Sequence, residues 1–126
     1  MSTHINSIKS LETKRTKLIR ELIATRHMLR GSFKRQFNRC GKQTCWCREA
    51  DKGHPRDSIF WRKDTKKFEK TIPKDDIPWA KEMTKAYKRF RKIRQQLLQI
   101  NEELRLLLNA LEDELAENTR KLKDYL

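Results

Sequence analysis

Cys40-Gly41-Lys42-Gln43-Thr44-Cys45-Trp46-Cys47, followed by a histidine at position 54, sets three thiols and an imidazole at the spacing C-x4-C-x-C-x6-H. Zinc is held tetrahedrally by four ligands of this kind, and a closed set of three cysteines and one histidine is a structural site. Gly41 and Gly53 would let the chain turn tightly around an ion, while Arg39, Lys42 and Arg48 would offset the negative charge that three thiolates leave on a divalent cation. The spacing therefore predicts a zinc knuckle ligated by Cys40, Cys45, Cys47 and His54. The plainer alternative is three reduced cysteines in a small core beside a surface histidine. A redox or catalytic role has less to stand on, since no residue is placed as a resolving or orienting partner. Three cysteines cannot all pair within one chain, and a reducing cytosol disfavours disulfides.

Helical periodicity flanks this cluster. From Thr3 to Arg30 there is neither proline nor glycine, and Ile8, Leu11, Leu18, Leu22 and Leu29 follow a seven-residue repeat whose gaps are filled by Arg15 and Thr25. Gly31 is of the type that ends helices. Downstream, Asp75-Asp76 offers an N-cap and Pro78 sits where its missing N–H does no harm. From there Met83, Phe90, Ile93, Leu97, Ile100, Leu104, Leu107 and Leu111 keep a 3-4 spacing, which Leu115, Asn118, Leu122 and Leu126 continue after a phase shift.

Between Gly31 and Asp76 all three glycines and two of the three prolines occur, and the apolar period changes to two. Ser58–Arg62 and Lys67–Ile72 read as a β-hairpin turning at Lys63-Asp64-Thr65-Lys66, a sequence without the Asn-Gly or Asp-Gly of a tight primed turn. The expected fold is thus α+β, with two long helices forming an antiparallel coiled-coil hairpin around a small β-hairpin or zinc-ribbon-like knuckle. Its segments are a first helix over 3–30, the knuckle over 31–75 and a second helix over 76–126. The second helix is longer than the first, and its leucine-rich overhang calls for another helix, most simply that of a second subunit in a homodimer or higher oligomer.

Charge indicates the partner class. The 126 residues carry 31 Lys and Arg against 17 Asp and Glu, a formal +14, with only 36% hydrophobic residues. Such an excess favours a polyanion, nucleic acid ahead of a membrane surface and DNA ahead of RNA. It is also segregated: Met1–Ile100 holds 27 basic and 10 acidic residues, whereas Asn101–Leu126 holds 4 and 7. The candidate phosphate contacts are Arg30, Lys34, Arg35, Arg39, Lys42, Arg48, Lys52, Arg56, Arg62, Lys66 and Lys67, with Lys85, Arg89 and Lys92 on the second helix. Trp46, Phe60 and Trp61 interleave with them, either as a mini-core or as stacking platforms. No apolar run long enough to span a membrane and no apolar leader is present, which predicts a cytoplasmic protein. No phosphate-binding glycine loop, carboxylate cluster or nucleophile elbow appears, so no enzyme is expected.

The run Arg30-Gly31-Ser32-Phe33, then Cys40-Gly41-Lys42 with Cys45 and Cys47, then Gly53-His54-Pro55 and an aromatic hairpin, resembles a family of small uncharacterised prokaryotic proteins. The resemblance covers Arg30 to Ile72, with Pro55-Arg56-Asp57 standing where the family's Gly-Pro-aromatic step is expected. It implies encoding beside transposases or integrases, and hence an accessory of transposition or DNA recombination that meets a larger recombinase. The competing expectation is a coiled-coil adaptor subunit of a larger enzyme or RNA-containing complex.

Overall fold

The computed structural model describes residues 2–126. Helix α1 (Thr3–Ala24) leads to strand β1 (Ser32–Asn38), a 3-10 turn (Trp46–Arg48), strands β2 (His54–Lys63) and β3 (Lys66–Thr71), a second 3-10 turn (Lys74–Asp76) and helix α2 (Ile77–Arg120). The chain divides into two compact units. One comprises the residues up to Arg26 together with Phe90–Leu126, the other His27–Arg89, and α2 contributes to both.

In the first unit the helices are unequal, 22 residues in α1 against 44 in α2. Ser2 caps α1, its hydroxyl accepting the His4 N–H at 3.1 Å. Leu18, Ile93, Leu97 and Ile100 form the buried core, with Leu11, Ile19, Leu22 and Leu104 packed around it. The expected coiled-coil hairpin is not formed. A knobs-into-holes seam needs apolar residues at successive heptad positions, and α1 cannot supply them. Arg15 hydrogen-bonds Asn101 at 3.0 Å, Leu18 is the single buried residue of α1, and Thr25 and Leu29 lie beyond its end. Nor does Gly31 end the helix. Thr25 turns into an extended conformation, and the Leu29 N–H donates to the Met83 carbonyl at 3.0 Å.

The second unit is built on a three-stranded antiparallel sheet in the order β1-β2-β3, rather than on a hairpin alone. The hairpin lies as expected, and β1 is the added strand. Its register pairs Phe33 with Ile59 and Arg35 with Asp57, while across the hairpin Trp61 faces Phe68. The Trp61 and Phe68 rings stack with centroids 5.4 Å apart. Asp64 and Thr65 turn the hairpin at φ 50° and 70°, the two positive values of a type I′ turn, although neither is glycine. Gly31 earns its place at the start of the sheet, where its φ is +126° and a Cβ would stand 2.4 Å from the Phe60 carbonyl oxygen. Asp75 and Asp76 lie in the 3-10 turn just ahead of α2, near its partially positive end. Among the described residues no helix is long and apolar enough to cross a membrane.

Candidate metal centre and basic surface

The last pair of the β1–β2 ladder is Asn38 with His54. Cys40 leaves β1 two residues later, so the ladder brings Cys40 and His54 to the same end of the sheet. The intervening loop returns Cys45 and Cys47 through two tight turns, closed by Cys45 N–H to Lys42 O at 3.2 Å and Arg48 N–H to Cys45 O at 3.3 Å. Gly53 permits the return, since its Cα lies against the Asn38 carbonyl and a Cβ there would stand 2.4 Å from it.

The four expected ligand atoms converge, all within 4.8 Å of one another. The Cys40 and Cys47 sulfurs are 3.6 Å apart, and Cys45 Sγ lies 3.0 Å from His54 Nε2. Tetrahedral zinc–thiolate bonds of about 2.3 Å imply sulfurs roughly 3.8 Å apart, so the donor set fits such an ion. Cys47 is fully buried and Cys40 exposed, which places the centre at the surface with one wall inside the fold. The Lys42 backbone, helped by the Cys45 and His54 side chains, hydrogen-bonds the Cys40 sulfur and holds its thiol down at about 6. Cys45 moves the other way. The Cys47 backbone N–H favours its thiolate, but burial and the neighbouring Cys40 and Cys47 outweigh that and push it up. One thiol is thus readily ionised while its neighbour resists, as expected when like charges crowd together before a cation joins them. Trp46 sets its ring edge-on to His54 at 4.7 Å and orients the imidazole, a contact that the Cys-Trp-Cys string did not announce.

The fourteen candidate phosphate contacts are all exposed, but several have work inside the fold. Arg35 grips Asp57 through two nitrogens at 2.7 and 3.1 Å, and this first of all holds the Asp57 carboxyl below the usual carboxylate range. Arg56 pairs with Glu69 across the hairpin, Arg39 donates to the Ala50 carbonyl at 3.1 Å, and Lys52 stands 4.8 Å over the Phe37 ring. Strand alternation together with the register assigns Lys34, Arg56, Arg62 and Lys67 to one face of the sheet, where Lys34 lies 5.5 Å over Phe60. Arg35 and Lys66 belong to the opposite face with Phe33, Asp57 and Ile59. On that side α2 contributes Lys81, 5.3 Å over the Phe33 ring. Arg30 precedes β1, Lys42 and Arg48 flank the metal cluster, and Lys85 and Arg89 sit on the part of α2 that belongs to the sheet unit. Lys92 falls in the helical unit and is not brought to the others by the sheet. Sequence reasoning missed strand β1, the Asp57 partner of Arg35 and the contribution of Lys81. The alternating Phe33-Lys34-Arg35-Gln36-Phe37 was the available signal for the strand.

The sequence model of a domain of unknown function, DUF6788, matches residues 8–82, from the first turns of α1 through the whole sheet to the start of α2. No curated protein and no solved structure matches the chain.

Proposed function

We propose that this chain, which belongs to the domain-of-unknown-function family DUF6788, is a non-enzymatic nucleic-acid-binding protein whose sheet unit meets the phosphate backbone and is clamped by a structural zinc ion. The observation that carries this reading is the division of charge. The sheet unit, His27–Arg89, holds 18 Lys and Arg against 8 Asp and Glu, whereas the rest of the chain holds 13 against 9. Solubility could be served by either sign, so a concentration of one sign on a small sheet favours a polyanion. Zinc would be held by Cys40, Cys45, Cys47 and His54, closing the loop between β1 and β2 and fixing the cations around it. When bound it supplies folding free energy rather than chemistry. Duplex DNA is the favoured ligand, and the accessory role in transposition or recombination rests on the resemblance over Arg30–Ile72.

The test is binding as a function of salt. A surface touching about six phosphates gives a log–log slope near −5 on duplex DNA. Replacing Lys34, Arg62 and Lys67 together with Gln makes that slope shallower by about 2 to 3 and weakens all duplexes alike. Replacing Arg120, Lys121 and Lys123 changes little. Equal behaviour of the two triple variants would show the face to be wrongly assigned, and no binding of DNA or RNA at low salt would end the proposal.

A further inference from the structure

Beside the metal cluster lies a concavity of about 250 Å³ lined by Arg39, Gly41, Lys42, Gln43, Cys47 and Arg48. Three cations and a neutral amide line it, and no carboxylate does. Arg39 is held by its hydrogen bond to the Ala50 carbonyl, so its remaining N–H groups are offered from a fixed arm rather than a free one. Gly41 turns the chain at φ +80°, and the short Lys42–Cys45 turn keeps Lys42 and Arg48 on the same loop.

Charge accounting separates this hollow from simple neutralisation of the metal. A zinc ion with three thiolates and a neutral imidazole carries about −1, so three cations exceed it by about +2. A phosphodiester carries a single negative charge, whereas a phosphate monoester carries roughly −1.5 to −2 at neutral pH and presents three acceptor oxygens. The monoester matches the surplus, and as a chain terminus it can enter a concave site end-on.

We propose that this hollow is a binding site for the terminal phosphate of a nucleic-acid strand. It deepens the nucleic-acid reading and rests on it: the sheet face tracks the backbone while the knuckle selects a phosphorylated end. Lys42 and Arg48 supply the charge, Arg39 the fixed hydrogen-bond fork and Gln43 a neutral donor.

The experiment compares the binding of the full, zinc-replete chain to one oligonucleotide sequence bearing a 5′-phosphate, a 3′-phosphate or hydroxyls at both ends, with inorganic phosphate as a separate probe. One phosphorylated end should bind at least about tenfold more tightly than the hydroxyl form. Lys42→Gln with Arg48→Gln should remove that preference, so that the phosphorylated and hydroxyl-ended strands bind alike, while zinc content and circular dichroism persist. Arg39→Lys, which keeps charge but loses the fork, should reduce the preference without shifting the salt slope. Equal affinity for all three ends overturns the end-binding site and leaves the nucleic-acid reading standing. Binding of inorganic phosphate with no oligonucleotide bound overturns both, reducing the hollow to a small-anion site.

Discussion

Gly53 lies against the carbonyl of Asn38 at the end of the β1–β2 ladder, so closely that a methyl group on it would stand 2.4 Å from that carbonyl's carbon and oxygen. This approach hands His54 to the cysteines. Gly53→Ala must push the strands apart where the metal ligands begin, because a backbone carbonyl cannot swing aside like a flexible side chain. The expected result is a loss of at least about tenfold in zinc affinity, of the size seen when support around metal ligands is removed, read by competition with a chromogenic chelator. Wild-type affinity in the variant would mean that the loop, not the ladder, positions His54.

Zinc content can be measured directly. Gently purified protein should carry about one zinc per chain, and Cys45→Ser should unfold the sheet unit, since binding free energy in such sites is folding free energy. The helical unit has its own core of Leu18, Ile93, Leu97 and Ile100, so most of the helical circular dichroism should survive. A metal content below about a tenth of an equivalent would refute the site.

The Arg35–Asp57 pair makes stability dependent on pH. Arg35, aided by Lys81, depresses the Asp57 carboxyl, so its contribution is fully present above the ordinary carboxylate value near about 3.9 and is lost as pH falls through the lower folded value. Asp57→Asn should therefore lower the Tm at pH 7, and the gap from wild type should close as pH drops below about 4. A gap that stays constant down to pH 2 would indicate that Asp57 acts through packing alone.

The hairpin turn stores strain in a β-branched residue. Thr65 adopts φ 70°, a region in which an ordinary L-residue loses roughly 1 to 2 kcal/mol and glycine little. Thr65→Gly should raise stability by about 0.5 to 1 kcal/mol after the added freedom of the unfolded chain is subtracted, measured by urea titration. A destabilised variant would show the Thr65 side chain to be making a contact worth more than the strain.

Much of the centre was legible in the chain because it is local. Cys40, Cys45, Cys47 and His54 lie within fifteen positions, and short loops leave such ligands few places to go. The hairpin was equally local, since alternating Ile59, Trp61 and Phe68 fix both strands and their shared face. The turn type was not legible, because Asp64 and Thr65 are driven to positive φ by the register of the strands and not by their own preference.

What the sequence determined alone was chemistry and period: the donor set, the excess of positive charge, the hairpin and the existence of two helices. Tertiary structure decided where α1 stops and which arginines are engaged, because those outcomes depend on partners distant in the chain. The Leu29 N–H finds the Met83 carbonyl and draws the segment after Ala24 out of the helical pattern, so a heptad that reads on to Leu29 is cut short. Strand β1 forms because β2 offers it a ladder, and Arg35 turns from a candidate phosphate contact into the partner of Asp57 only once that ladder sets them side by side. Periodicity reports which face a residue would share within its own element, whereas hydrogen bonds between elements fix where that element ends and what its charges meet.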